Sequence, residues 1–210
     1  LPLDKTLIVY GIGCHGHMVN FLAVHGFEGL HGRPLPVAMG AKIANHELKV
    51  IVSAGDGDTL GEGVGHLISA CRGNHDITCL IHDNQVYGLT TGQASPTASR
   101  GHKSKSTPAG VLDEALDPIA LTLSAGASLV ARGFAGDISH LTEMVKAAIG
   151  HKGFAFLDVY HPCVTFNNHE GSTKSYHHVQ KADVPLHALD FIRFYEEIEA
   201  FLDIAYSNMK

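Results

Sequence analysis

Three polar motifs in the middle of the chain contain residue types that bind metal ions and phosphate groups. They are Gly55-Asp56-Gly57-Asp58, Asp83-Asn84-Gln85-Val86-Tyr87-Gly88 and Gly92-Gln93-Ala94-Ser95-Pro96-Thr97. The glycines beside Asp56 let the backbone approach an anion closely. A carboxylate (Asp56), an amide oxygen (Asn84) and a backbone carbonyl (Val86) are hard oxygen ligands, which Mg²⁺ prefers. We expect the Val86 carbonyl to lie in a loop with no strand ladder, which would leave it free to bind a metal ion. Together the motifs predict a metal-bound diphosphate.

Several other interpretations of the first motif can be tested on the sequence. A dinucleotide-binding fingerprint would need a third glycine where Leu60 stands, and no Gly-Lys-Ser/Thr of a Walker loop is present. A calcium-binding EF-hand loop would need an oxygen ligand at Leu60 and a glutamate at Leu67. A simple polar turn is the alternative that stays open, and the Asp83-Asn84 pair one strand later makes it less favoured.

The elements that must position these motifs are two short apolar runs. Val50–Val52 and Ile77–Ile81 are typical of buried strands, and each ends just before a polar motif. In open α/β sheets, ligands bind outside the carboxyl ends of the strands. Leu7–Tyr10 is a third such run, and the glycine-rich stretch Gly11–His17 after it predicts a second wall of the same site.

The remaining pattern alternates strands with helices and predicts an α/β fold: a mostly parallel sheet with helices on both faces. We expect glycines 61, 63 and 65 to let the helix after the first motif pack closely. The predicted division is a cofactor-binding domain over residues 1–163 and a C-terminal extension over 164–210. Predicted helices start near Met18, Pro34, Leu60, Pro118, Ile138 and Leu189, the last ending at Tyr206; further strands are predicted at Ala127–Ala131 and Phe154–Tyr160.

From about Lys5 to Tyr176, these motifs resemble the β subunit of 2-oxoacid:ferredoxin oxidoreductases, a branch of the thiamine diphosphate-dependent enzymes. The resemblance implies a thiamine diphosphate-binding fold in which Asp56, Asn84 and the Val86 carbonyl bind Mg²⁺. It also implies a set of residues around the cofactor, namely Gly13, His31, Gly55, Gly57, Asp58, Tyr87, Gly88, Leu89 and Thr90.

Two residues are candidates for catalysis. Members of the family often carry Lys or Arg near His17, where it can meet the substrate carboxylate. His17 can do this when protonated or as a neutral hydrogen-bond donor. Arg33 suits a carboxylate or phosphate, or alternatively fixes its own loop.

Two cysteines, Cys14 and Cys163, each follow a predicted strand. By resemblance they belong to the third and fourth ligand segments of a [4Fe–4S] cluster, which is usually held by four thiolates. The family takes the other two from a Cys-x-x-Cys, which this sequence does not contain. The sequence therefore accounts for two of the four thiolates, those of Cys14 and Cys163. The alternatives are two unrelated thiols or a zinc site with His15, His17 and His161.

The function implied by the resemblance is oxidative decarboxylation of a 2-oxoacid to acyl-coenzyme A, with electrons passing through the cluster to ferredoxin. The implied partners are an α subunit, without which the chain would be inactive, together with ferredoxin, the 2-oxoacid and coenzyme A. Two alternatives stay open: a non-oxidative thiamine diphosphate-dependent decarboxylase or lyase, and a non-catalytic cofactor-binding remnant.

Composition limits the remaining classes of function. A net charge of −6 over 210 residues argues against a nucleic-acid surface. The sequence has no long apolar run that would span a membrane and no secretion signal. Cys71 and Cys79 lie in apolar segments, which indicates buried thiols rather than disulfides, so we expect a cytoplasmic protein.

Overall fold

The computed structural model describes residues 1–181. A parallel sheet of six strands forms the centre of the fold, in the order β2-β1-β3-β4-β8-β7. A separate antiparallel ladder of two short strands, β5 and β6, follows β4. The strands are β1 (Thr6–Tyr10), β2 (His25–Glu28), β3 (Lys49–Gly55), β4 (Ile77–Asp83), β5 (Val86–Tyr87), β6 (Gln93–Ala94), β7 (Leu129–Phe134) and β8 (Phe154–Tyr160).

Helices cover both faces of the sheet, which confirms the predicted α/β class. The first three helices pack together on one face, and α4 packs on the opposite face against β7 and β8. The α-helices are α1 (Pro34–Ala44), α2 (Val64–Gly73), α3 (Pro118–Ser124), α4 (Ile138–Gly150) and α5 (Tyr176–Lys181). A 3₁₀ helix spans Leu3–Lys5, a second spans Cys14–Asn20, and a π-helix spans Gly57–Glu62.

The main core lies between the central strands and the first three helices. Val52 of β3, Leu67 of α2 and Phe156 of β8 are all completely buried there. Strands buried on both faces read as continuous apolar runs, as β3 and β4 do. The helix starts follow local rules: the Asp117 side chain caps α3 by accepting from the amides of Ile119 and Ala120, before Pro118 in the first turn.

The strand order places the sequence motifs side by side. The segments that follow β1, β3, β4 and β8 leave four neighbouring strands at the same edge, because all four strands are parallel. This edge therefore collects Cys14, Asp56, Asn84 and Cys163, which are far apart in the chain.

Some predicted elements differ from those observed. The predicted helix near Met18 is a 3₁₀ helix that ends before the unpredicted edge strand β2. The predicted helix from Leu60 is divided into the π-helix and α2, which meet at Gly63. The predicted strand at residues 127–131 instead starts at Leu129, after a turn at Gly126, which has a φ of 89°.

The described part of the predicted C-terminal extension, residues 164–181, includes α5 and several buried side chains. The helix predicted from Leu189 to Tyr206 lies outside the described residues. Within residues 1–181, no helix is long and apolar enough to cross a membrane.

We expect Leu67→Ala to lower the free energy of unfolding by about 2–5 kcal/mol, because it leaves a cavity under α2. The neighbouring Ile68 is 40% exposed, so Ile68→Ala is a matched control with an expected effect of less than about 1 kcal/mol. Urea denaturation followed by circular dichroism measures both. Equal effects would contradict the assignment of this helix face to the core.

Candidate functional site

A cavity of about 450 Å³ opens at the carboxyl edge of the sheet. Its size falls within the range of about 300–1,000 Å³ that is usual for small-ligand sites. Fourteen of the residues predicted for the site line it, and these are Gly13, Cys14, His31, Gly55, Asp56, Gly57, Asp58, Asn84, Val86, Tyr87, Gly88, Leu89, Thr90 and Cys163.

The carboxylate of Asp56 is the most constrained group at the cavity. Asp56 is 1% exposed, and its Oδ2 accepts hydrogen bonds from the Gln85 amide (2.9 Å) and from the hydroxyls of Ser95 and Thr97 (2.6 Å each). Burial, together with the nearby charge of Asp83, raises the pKa of Asp56 to about 7. A bound cation would oppose both effects by stabilising the ionised carboxylate.

Thr97 connects Asp56 to a second buried carboxylate. Its Oγ1 lies 2.6 Å from Asp56 Oδ2 and 2.8 Å from Asp83 Oδ1. The other oxygen of Asp83 is 2.9 Å from Lys174 Nζ. Asp56 of the first motif and Asp83 of the second are thus joined through one hydroxyl, and the buried Lys174 balances the charge of Asp83.

The turn after β4 presents Asn84 and Val86 to the cavity. Asn84 Oδ1 accepts from the Val86 amide at 3.2 Å, and Gln85 between them has a φ of 68°. A ladder is present here, contrary to our expectation, because Val86 pairs with Ala94. Val86 and Ala94 do not hydrogen-bond to each other; the hydrogen bond of the ladder joins the neighbouring residues, with the Ser95 amide donating to the Gln85 carbonyl. The carbonyl of Val86 therefore faces away from the ladder.

Asp58, in the π-helix, binds two loops at the cavity. Its Oδ1 accepts from the amides of Ile12 (3.1 Å) and Gly32 (2.9 Å) and lies 2.9 Å from His31 Nδ1. Burial raises the pKa of Asp58, and the two amides and His31 oppose that shift. Its Oδ2 is buried without a hydrogen-bond partner among the described residues. Asp58 thus holds the loop after β1 and the start of α1 at the cavity.

The two predicted cluster cysteines meet over Gly88. A Cβ built on Gly88 would lie 3.3 Å from Cys163 Sγ and 3.7 Å from Cys14 Sγ, so both thiols lie on the side of Gly88 that a side chain would occupy. Both are free thiols, as are Cys71 and Cys79. Within the part of the chain that the structure describes, no three His, Cys, Asp or Glu side chains converge closely enough to hold a metal ion. The alternative Cys/His zinc site is therefore not formed by these residues.

Three histidine rings form the wall of the cavity beside the thiols. His15 stacks on His82 with ring centroids 5.5 Å apart, and His82 meets His161 edge-on at 5.5 Å. Burial lowers the pKa of His15 to about 4, of His82 to about 3, and lowers that of His161 as well. The wall is therefore uncharged at neutral pH.

The two predicted catalytic residues do not line this cavity in the described structure. His17 is exposed on the 3₁₀ helix after β1. Arg33 is also exposed, and its guanidinium donates to the carbonyls of Gly32 and Glu62 at 3.1 Å. These contacts fit the alternative in which Arg33 fixes its loop, and the catalytic roles stay predictions.

Several residues that support the site were not singled out from the sequence. Ser95 and Thr97 stand in the third motif. A buried carboxylate needs hydrogen-bond donors, so an Asp56 expected to be buried would have indicated that nearby hydroxyls such as these bind it. Asn167 and Lys174 come from a polar stretch without periodicity, and nothing in the local sequence connects them to the site. His82 directly follows the apolar run of β4, and nothing in that pattern indicates that its ring lines the site.

The donors at the cavity suit a magnesium-bound diphosphate. A carboxylate, an amide oxygen and a carbonyl that faces away from its ladder line one cavity, and Mg²⁺ takes such hard ligands with phosphate oxygens completing its coordination. Gly57 and Gly61 give the close packing that this arrangement needs, because a Cβ at either would collide with the Tyr87 side chain. The residues present therefore fit the predicted cofactor.

Comparison with known families agrees with this geometry. Residues 11–159 match the model of the thiamine pyrophosphate enzyme, C-terminal TPP binding domain. The chain belongs to this family. The matched range begins just after β1 and ends within β8. It therefore contains the segments that follow β1, β3 and β4 but not the segment after β8, which carries Cys163.

The sequence is also similar to subunits of one group of oxidoreductases, which confirms the resemblance found in the motifs. The β subunit of 2-oxoacid:ferredoxin oxidoreductase 1 from Aeropyrum pernix is 51% identical over 170 residues, covering 80% of this chain and 54% of the relative. The corresponding β subunit from Saccharolobus solfataricus is 52% identical over 172 residues, covering 80% and 56%. The chain therefore spans about half the length of the curated relatives it matches.

A solved structure gives the same result. The 2-oxoglutarate:ferredoxin oxidoreductase from Magnetococcus marinus, with 2-oxoglutarate, coenzyme A and succinyl-CoA bound, has a TM-score of 0.82 and 34% identity. The match covers 86% of this chain and 60% of that chain. The fold around the cavity is thus that of this enzyme group.

We expect Gly57→Ala and Gly65→Ala to have opposite effects. A Cβ at Gly57 would collide with the Tyr87 ring, so we expect about 1–3 kcal/mol of destabilisation. Gly65 faces open space, contrary to its predicted role in close packing, so alanine there should stabilise α2 by about 0.5–1 kcal/mol. Urea denaturation tests both, and a stabilising Gly57→Ala would contradict the packing described.

Proposed function

We propose that this chain is the thiamine diphosphate-binding part of the β subunit of a 2-oxoacid:ferredoxin oxidoreductase. The reaction would be the oxidative decarboxylation of a 2-oxoacid to acyl-coenzyme A, with electrons leaving through an iron–sulfur cluster to ferredoxin. The observation that carries the proposal is the joint position of the Asp56–Asn84–Val86 donors and the Cys14–Cys163 pair at one cavity.

The metal and cofactor would be held by groups that the fold already fixes. Asp56, Asn84 and the Val86 carbonyl would bind Mg²⁺, and the backbone around Gly55, Gly57 and Gly88 would surround the diphosphate. When bound, thiamine diphosphate supplies a nucleophilic carbanion that lets a 2-oxoacid lose CO₂. The protein contributes position and electrostatics, and the hydrogen bonds to Asp56 Oδ2 keep that carboxylate directed as a ligand.

The remaining wall residues would control the surroundings of the reacting groups. The neutral rings of His15, His82 and His161 place no positive charge in this wall, so the wall itself would not attract anions. His82 is fixed by Ser53, whose Oγ lies 3.0 Å from its Nε2.

The cysteine pair favours the oxidative reaction over a non-oxidative thiamine diphosphate-dependent decarboxylase or lyase. A decarboxylase has no need for two thiols at its cofactor cavity, whereas an electron-transfer enzyme needs cluster ligands there. Cys14 and Cys163 would supply two of the four thiolates that a [4Fe–4S] cluster usually takes. The other two would come from the intact protein.

An α subunit would complete the site. Leu89 and Val164 line the cavity and are 49% and 72% exposed, which gives its mouth an apolar rim suited to burial by a second protein. Such a partner would also provide the group that activates the cofactor. We expect the complex in the cytoplasm, where thiols stay reduced.

We expect Asp56→Asn to weaken Mg²⁺-dependent binding of thiamine diphosphate by more than about 100-fold. The change keeps the size of the side chain but removes the ligand charge, and loss of an outer-shell group alone costs about 10- to 100-fold. Isothermal titration calorimetry on the full-length protein measures the Kd. Asp113→Asn, at an exposed position, is the matched control. Unchanged affinity in Asp56→Asn would rule out Asp56 as a ligand.

We expect about four irons per chain in the anaerobically purified full-length protein with its partner. Cys14→Ala and Cys163→Ala should each lose iron and ferredoxin reduction, and Cys71→Ala, a buried thiol away from the cavity, should keep both. The visible absorption should bleach when a 2-oxoacid and coenzyme A are added. A colourless wild-type protein that still binds thiamine diphosphate would favour the non-oxidative enzyme or the remnant.

A further inference from the structure

Residues 167–174 lie across the turn that carries the Asn84 and Val86 ligands. Asn167 Nδ2 donates to the backbone carbonyl of Asn84 at 2.9 Å, and Thr173 Oγ1 donates to Gln85 Oε1 at 3.0 Å. Lys174 Nζ lies 2.9 Å from Asp83 Oδ2. Side chains of this segment thus contact Asp83, the last residue of β4, and the two residues after it, Asn84 and Gln85. We call residues 167–174 the strap.

The strap is itself anchored in the protein interior. Asn167 is completely buried, its amide donates to the Cys163 carbonyl at 2.8 Å, and its carbonyl accepts from Ser172 Oγ at 2.8 Å. Lys174 is 6% exposed, and its ammonium lies 3.0 Å from the centroid of the Tyr160 ring. A buried and doubly held group of this kind is costly to displace.

The turn needs support from outside because its backbone is strained. Gln85 has a φ of 68°, a backbone conformation that residues with a Cβ rarely adopt. Such a conformation is kept only where surrounding contacts hold it. The Gln85 amide donates to Asp56, and its side-chain amide donates to the Thr97 carbonyl at 3.0 Å. The same side-chain amide also donates to Ser99 Oγ at 3.2 Å. The strap adds contacts from Asn167 to the Asn84 carbonyl and from both Asn167 and Thr173 to Gln85 Oε1.

We propose that Asn167, Thr173 and Lys174 are positioning residues that hold the turn in the conformation presenting the Asn84 and Val86 oxygens to the metal. Affinity for Mg²⁺ and thiamine diphosphate then depends on the strap, although no strap side chain needs to contact either one. The inference rests on the proposed function because it takes Asn84 and Val86 as metal ligands.

The test is the Kd of the full-length protein for thiamine diphosphate in the presence of Mg²⁺, measured by isothermal titration calorimetry. We expect Asn167→Ala to weaken binding by about 10- to 100-fold, as for other groups that orient metal ligands. Asn168→Ala deletes the same side chain at the next, exposed position and should leave the Kd unchanged. Wild-type affinity in Asn167→Ala would overturn the inference.

A second readout separates positioning from general stability. If Asn167 only stabilised the fold, Asn167→Ala would lower the Tm equally with and without Mg²⁺ and thiamine diphosphate. We expect instead that the rise in Tm on adding both is smaller in Asn167→Ala than in Asn168→Ala, because that rise depends on the Kd. Equal rises would overturn the inference.

A third variant keeps the test valid if Asn167→Ala does not fold. Thr173 is on the exposed side of the strap, so Thr173→Val removes only the bond to Gln85 Oε1. We expect binding several-fold weaker than in the wild type and faster hydrogen exchange at the Gln85 and Val86 amides. Unchanged values of both would overturn the inference, whereas a wild-type protein that binds no thiamine diphosphate would overturn the proposed function and the inference with it.

Discussion

Burial of the Asp56 carboxylate is the constraint on which the rest of the site depends. A carboxylate removed from water must be matched by donors or by a cation, because its lost hydration is otherwise not replaced. The Gln85 amide and the Ser95 and Thr97 hydroxyls meet this requirement on one oxygen. These donors come from the segment after β4 and from β6 and the residues after it. The hydrogen bonds to one side chain therefore hold the second and third motifs together.

The same requirement extends outward through a chain of polar contacts. Thr97 reaches Asp83, Asp83 needs Lys174, and Lys174 rests on the ring of Tyr160 at the end of β8. A polar network inside a protein is stable only when its members are satisfied together. This explains why residues far along the chain, in the strap, are required to complete an arrangement that begins with Asp56.

The parallel sheet brings two kinds of chemistry to one edge. Oxygen donors follow β3 and β4 at the centre, and thiols follow β1 and β8 on either side. Both thiols lie on the side of Gly88 that a side chain would occupy. Oxygen donors and a pair of thiols therefore line one cavity, which is the arrangement on which the proposed oxidative function rests.

The sequence by itself determined the strand–helix alternation, the start of α3 at its Asp117 cap, and the meeting of the glycine and acidic motifs at one sheet edge. These follow from local rules, since apolar period and caps act over a few residues and parallel strands end together. Only the tertiary structure decided that Thr97 bridges two carboxylates, that Asn167 and Lys174 reach the turn after β4, and that Arg33 binds carbonyls outside the cavity. Those contacts join residues that are far apart in the chain. They depend on the order of the strands and on which buried groups still need a partner, and neither is recorded in the local pattern.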